Sequence, residues 1–462
     1  MRSLIGSIML AGSIGLLTSS LGLAEEKPAK ATRVTRIFLQ DHDARTLRWA
    51  DVLQAQDGKF SVEAWNEIEG FPKLDPQTQT LVQMREAAGR IVMGVRDNDQ
   101  GKKASGWVLL STGSRFREHG DHGHWDYASK PFVLESRIDQ DQGNPAHVYE
   151  YDGSFYVAND SKNGFTQINP EDWFRSVSGT VTRGTPKFFS GGGNHITLAA
   201  IGNKMAFSTW IDGGGPNKGR VDMVSLDSTQ TKNGSLQLPT GVIHGATSCA
   251  GKVFFAPADG ICWIDAEQAM TKPLKEIAVS TISFGLENKK PLRTGAFAQI
   301  KDQLLCVTGQ EQSSRLVILD AASKTPEPMF LPLQGKEYHK PLTPAVVMVG
   351  EKRPYALIFH DHDKKHQAED LLELFELDPN LDGKFGDARH VKTLKIGPSS
   401  VEGHYGHHGV SFDAEGLFAF FTNPGEGTIS ILDLKKLEIM ATIKTGGNPT
   451  AILAHGGNET ED

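Results

Sequence analysis

Sixteen histidines are spread along the 462 residues, and three of them open segments built to one pattern. His147 stands in "PAHVYEYDGSFYVAND", His195 in "GGGNHITLAAIGNKMAFSTW" and His244 in "VIHGATSCAGKVFFAPADG". A fourth segment, "VEGHYGHHGVSFDAEG", carries His404, His407 and His408 just before or at the same register. Three or four neutral imidazoles drawn together suit Zn(II), at Zn–N distances of about 2.0–2.1 Å. Cu(II) or Ni(II) would also accept such a set. Carboxylates close by would serve as a ligand or take the outer ring N–H, and Glu402 and Asp413 are the nearest in sequence. Singly, each histidine reads more simply as a structural donor to neighbouring backbone. Four at equivalent register favour the metal reading.

A second constellation lies in "RFREHGDHGHWDYASK", where His119, His122 and His124 alternate with Glu118, Asp121 and Asp126. This stretch is polar, rich in Gly, and sits between the strand patterns "GWVLLS" and "PFVLES". It is expected to be a mobile loop. Ligands that must first be ordered hold metal more weakly than a rigid ring site does. His42 in "QDHD", and His360, His362 and His366 in "FHDHDKKH", fall where other copies of the pattern have acidic and turn-forming residues. They are read as turn residues.

What could bring such distant residues together is a repeat. Helical periodicity is nearly absent, and short alternating or β-branched runs cut by Gly, Asn and Asp fill the chain. They group into eight copies of one strand grammar, at the spacing of propeller blades. The expected architecture is therefore an all-β, eight-bladed β-propeller, with a seven-bladed ring or a sandwich plus second domain as the alternatives. The first copy, from Val34, lacks a preceding strand, and the last is followed by a surplus one, "NPTAILAHG". That strand would complete the first blade and close the ring, leaving few exposed edges. The first strand of a blade lines the central channel, so histidines at its start would meet at one mouth.

The remaining features bound the setting. Met1 to Ala24 read as a secretory signal peptide, with Arg2 before an apolar stretch and small residues at the end. A linker over 25–33, a propeller over 34–456 and a disordered tail over 457–462 follow. The expected mature protein is periplasmic, monomeric and free of the membrane. A net charge of -8 with no basic stripe offers nothing to nucleic acid. Of the three cysteines, Cys249 and Cys262 are close enough in sequence to bridge neighbouring strands, worth roughly 3 kcal/mol in the chain-entropy account. Cys306 reads as a small buried residue.

The chain resembles the AztD-type periplasmic zinc chaperones, which serve a zinc ABC importer through its solute-binding protein. The resemblance is diffuse and clearest in "EHGDHGH", "PAHVYEYDG", "IHGATSCAGKVFFAPADG" and "EGHYGHHGV…TNPGEGTISILDLKKLEIMATI". It implies a β-propeller, an Asp/His-rich flexible loop at Glu118 to His124, and zinc-handling histidines at His147, His195, His244 and the Gly403–His404 pair. The family's cysteine spacing differs here, and "RTGAFAQIKDQ" lacks a histidine expected there. The implied function is a non-enzymatic metallochaperone that holds Zn(II) and passes it to a solute-binding protein. A zinc-dependent hydrolase or lyase on the same fold is the alternative, although neither G-x-S-x-G nor H-E-x-x-H is present. A metal-free interaction scaffold is the third reading.

Overall fold

The computed structural model describes residues 31–99, 102–120, 122–176, 178–227, 233–350, 352–362, 365–366 and 369–459. The expected signal peptide, most of the linker and the last three residues lie outside that set. Eight antiparallel sheets, each with a four-strand ladder at its core, follow one another along the chain. Blade 3, for example, comprises Pro145–Tyr151, Ser154–Asn159, Gly164–Ile168 and Lys187–Ser190, paired in chain order. Among the described residues, no helix is long and apolar enough to cross a membrane.

The strand grammar has a packing cause. Central strands are covered on both faces by the adjoining blades, so they read as continuous apolar runs. Ser154–Asn159, Leu371–Glu376 and Phe418–Asn423 are buried at every position. The outermost strand of blade 8, Glu438–Lys444, alternates exposed and half-buried residues, because one of its faces meets solvent. One hydrophobic cluster sits at each blade junction. Phe38 and Trp49 of blade 1 pack with Leu81 and Ile91 of blade 2, and Phe207 and Met223 of blade 4 with Val253 and Ile264 of blade 5.

Closure works as the surplus strand suggested. Pro449–His455 pairs with Thr32–Asp41, from Arg36 opposite His455 to Asp41 opposite Pro449. The closing junction joins Ile37, Leu39 and Val52 of blade 1 to Phe420, Ile429 and Ile431 of blade 8. First strands also bond one another around the hub. Tyr151 Oη donates to the Leu198 carbonyl at 2.9 Å, and Ser248 Oγ to that of Ala200 at 2.6 Å. The ordered chain runs past the boundary expected at 456. Glu459 N donates to the Arg33 carbonyl at 2.9 Å, and Glu459 also forms an ion pair with Arg33 at 3.0 Å.

The expected disulfide is absent. Cys249 ends the first strand of blade 5, while Cys262 lies in the third, with a strand between them. Two strand spacings come to about 9.5 Å, beyond the roughly 6.8 Å that a disulfide spans between Cα atoms. The two thiols also face opposite junctions, Cys249 toward blade 6 and Cys262 toward blade 4. All three cysteines are free and buried. Burial pushes Cys249 up to about 11 and Cys262 and Cys306 up to about 12, which keeps them unreactive. Thiol titration without reductant should count three thiols in denaturant and almost none in the native protein. A count of one in denaturant would restore the bridge.

Candidate metal centre

Three of the sequence-predicted histidines meet at the hub. His147 lies inside the first strand of blade 3, His195 just before Leu198–Ile201 in blade 4, and His244 just before Ala246–Cys249 in blade 5. The ring centroids of His147 and His195 are 4.7 Å apart, those of His195 and His244 5.1 Å, and those of His147 and His244 6.4 Å. The Nε2 atoms of His147 and His195 face each other at 3.0 Å. Ligands on one tetrahedral zinc at about 2.05 Å stand about 3.3 Å apart. That pair is thus close to ligand spacing, whereas His244 is somewhat farther out.

The outer nitrogens are engaged in the manner that prepares a ligand. His195 Nδ1 lies 3.4 Å from Asp160 Oδ2, and His244 Nδ1 lies 3.4 Å from the Gly295 carbonyl oxygen. A partner on Nδ1 leaves Nε2 as the free donor atom and fixes the ring's orientation. Asp160 is itself anchored, taking the Ile196 N–H at 3.0 Å on Oδ1 and pairing with Arg96 at 3.3 Å on Oδ2. Sequence reasoning missed Asp160, which follows Asn159 in an ordinary acidic turn. It named Glu402 and Asp413 instead. Glu402 is exposed, and Asp413 is buried beneath blade 8, capping Leu417 and Phe418.

Burial, first, and then the neighbouring rings of His195 and His244 push His147 down to about 3. Burial also lowers His244. Both rings are neutral at neutral pH, the form that ligates metal.

The three rings open into a cavity of about 590 Å³ that is also lined by His404, His407 and Tyr405. His404 is exposed at the tip of a tight turn closed by pairing of Glu402 with Tyr405. Gly403 and Gly406 flank it at φ of 66° and 83°. A Cβ on Gly406 would come within 2.2 Å of the Ser400 carbonyl oxygen, so this turn requires glycine. His407 also lines the cavity and places Nδ1 2.9 Å from Asp361 Oδ2. His408 does not join them. Its ring is buried between blades 7 and 8, against Phe359 and Asp370.

The Asp/His-rich segment differs from expectation in form and in place. It is a two-stranded hairpin, Arg115–His119 with Arg115 opposite Asp126 and His119 opposite His122 in Cα register. Asp121 lies outside the described residues, as do the side chains of His119 and His122. His124 is half-buried. Asp126 is taken up by Arg117 at 2.6 Å and Arg115 at 3.3 Å. Trp125 of the hairpin packs edge-on against His455, with centroids 5.2 Å apart. His455 ends the closing strand, whereas Thr450 near its start lines the histidine cavity. Five residues of strand span roughly 17 Å. The hairpin therefore stands at the opposite mouth of the channel from the three rings. Between the mouths, Arg85 lines a cavity of about 290 Å³ beside Tyr149 and Tyr151. A guanidinium there sets a positive charge that opposes passage of a cation between the mouths.

Of the remaining histidines, His360 departs from the turn reading, whereas His362 lies in the connection after that strand but is buried there. His360 is in the strand Arg353–Asp361, fully buried, with Nε2 2.6 Å from Glu373 Oε1. His362 is buried with Nδ1 against Asp370 Oδ1. His366 stacks on Tyr338 at 4.0 Å, and the ring of His42 lies tilted against Tyr405 at 4.6 Å.

No protein-family model matches the chain, and no curated protein matches it in sequence. Solved structures do match in fold. The crystal structure of Citrobacter koseri AztD aligns with a TM-score of 0.61 at 14% identity, over 94% of this chain and 100% of that one. Its apo form aligns at 0.60 with the same identity and coverage. Dihydro-heme d1 dehydrogenase NirN in complex with DHE aligns at 0.53 with 11% identity, over 93% of this chain and 76% of that one. The likeness to AztD read from short motifs thus extends to the whole architecture.

The neutral His147 has a consequence for stability. In the unfolded chain it takes a proton near 6.5, whereas in the fold it stays neutral down to about 3. The unfolded state binds more protons between those values, so the metal-free protein should lose stability as pH falls from about 6.5 toward 3, with no effect from this group above that window. Thermal melts of metal-free wild type and His147→Gln over that range test it. Parallel pH dependences would contradict the assignment.

Proposed function

We propose that the mature protein is a periplasmic metallochaperone that holds Zn(II) at the hub through His147, His195 and His244. His404 and His407 complete the site from the cavity wall, and the ion passes to the solute-binding protein of a zinc ABC transporter. The observation that carries this reading is the convergence of three imidazoles, from three blades, on one solvent-open cavity. Asp160 and the Gly295 carbonyl hold two of the rings at Nδ1, and His195 Nε2 faces His147 Nε2. The motif-level resemblance to the zinc chaperones, and the shared fold, support the same reading.

The residues described beside the rings favour binding over turnover. A hydrolase would need a positioned acid or base next to a zinc-bound water. The nearest carboxylate, Asp160, is tied to Arg96, Ile196 N and His195. A propeller alone implies no chemistry, as its occurrence in a dehydrogenase illustrates. Release would proceed by ligand exchange at the open mouth, with the exposed His404 displaced first and the His147–His195 pair last.

Competition against a chelator tests the site. His147→Ala/His195→Ala/His244→Ala should weaken the zinc affinity of this site by at least about 100-fold. Asp160→Asn, which loosens the orientation of His195, should cost about 10–100-fold. Replacing the hairpin from Arg115 to Asp126 with a short Gly-Ser link should leave that affinity within about threefold, because the hairpin lies roughly 17 Å away. An unchanged affinity in the triple variant would remove the site, and failure of zinc to appear on a solute-binding protein would remove the chaperone role.

A further inference from the structure

Behind the axial cavity, where blade 7 meets blade 8, lies a second constellation. Asp361, Asp370 and His408 each contribute one ligand atom to a set lying within 4.8 Å of one another, and all three residues are buried. His408 Nδ1 is 2.5 Å from the Thr422 carbonyl oxygen. A carbonyl only accepts, so Nδ1 carries the hydrogen and Nε2 is turned into the cluster. Nε2 stands 3.1 Å from Asp370 Oδ2 and 3.8 Å from Asp361 Oδ1. These distances bracket the roughly 3.3 Å between ligands on a tetrahedral ion. A ring N–H given to a backbone carbonyl is the usual arrangement for a metal-bound histidine.

The carboxylates are held from outside the cluster. Asp361 Oδ2 takes His407 Nδ1 at 2.9 Å and His408 N–H at 3.3 Å. Asp370 is held by Ser399 N–H and by His362 Nδ1. Among the described residues, Asp361 Oδ1, in a side chain only 1% exposed, accepts no hydrogen bond, although it points at His408 Nε2. A buried carboxylate oxygen left without a donor calls for a cation. Two carboxylates in a low-dielectric junction carry a charge that one divalent ion would neutralise, and one imidazole with two carboxylates is a donor set that zinc accepts.

We propose that Asp361, Asp370 and His408 bind a second divalent ion, Zn(II) by their donor chemistry, inside the junction of blades 7 and 8. This site is separate from the three hub histidines and does not depend on them. His407 joins the two, since it bonds Asp361 and lines the axial cavity. The rival arrangement is a protonated His408 clamped between the carboxylates without metal.

The test uses the full mature chain carrying His147→Ala/His195→Ala/His244→Ala, purified in Zn(II) and, separately, in Co(II). Metal is counted after gel filtration. About one ion per chain should remain, against about two in the wild type. If the hub site binds nothing, both proteins carry about one ion, and the second site stands. Adding the isosteric Asp361→Asn should reduce the residual ion at least tenfold, with circular dichroism and elution volume unchanged. If Asp361→Asn does not fold, the Co(II) form of the triple variant decides. Visible absorption of a tetrahedral nitrogen–oxygen site, without a thiolate band, supports the proposal, and its absence overturns it. A triple variant free of metal under both conditions overturns the proposal and leaves the protonated clamp. So does an Asp361→Asn variant that keeps its ion.

Discussion

A four-stranded blade cannot bury both of its own faces, and most of this molecule follows from that constraint. Each sheet is covered by the one before and the one after, so the ends of the chain must meet or two apolar faces are left in water. Pairing of Pro449–His455 with Thr32–Asp41 resolves this, and the Ile37, Phe420 and Ile431 cluster fills the seam. Once the ring is shut, its first strands have no freedom of position. His147, His195 and His244, some fifty residues apart in sequence, are held within one hydrogen-bond length or a few ångströms of each other by blades that need one another for burial.

That rigidity bears on the chemistry proposed for the hub. Neutral rings packed together repel protons, because each protonated imidazole would face another in a partly desolvated place. The same crowding that excludes a second proton offers converging lone pairs to a divalent ion. Asp160 and the Gly295 carbonyl prevent the rings from rotating away. Two of the approaches use left-handed backbone, at Asn194 (φ 66°) before His195 and at Val242 (φ 58°) before His244. The convergence follows from three neighbouring blades each presenting a histidine at or just before its first strand.

The fold was legible because burial on both faces writes long apolar runs that turns interrupt at regular spacing. The register of three histidines was legible for the same reason, as each opens a first strand. What could not be read was direction across the sheet. His408 follows His407 immediately, yet the two rings go to different places, one to the cavity and one into the blade junction. His360 and His362 belong to a stretch that looks like a polar turn, yet both are buried, because their partners, Glu373 and Asp370, arrive from the next strand and from the residue before it. Cys249 and Cys262 are close in sequence but have a strand between them. Asp160 looks like any turn carboxylate until the ring closes and sets it beside His195.

The placement of the Asp/His-rich hairpin changes how the two constellations relate. Composition suggested a mobile loop that would hold metal more weakly than the ring site. The closing strand separates the two, with Thr450 at one mouth and His455 at the other, and Arg85 sets a fixed positive charge on the path between. Two ligand sets on opposite faces of one rigid ring cannot share an ion without a step through solvent or a partner. Under the proposed function, capture and delivery then belong to the histidine mouth alone, where the exposed His404 lines the same cavity as the His147–His195 pair. The hairpin, with Trp125 packed on His455 and Phe116 exposed, is left to act on its own face.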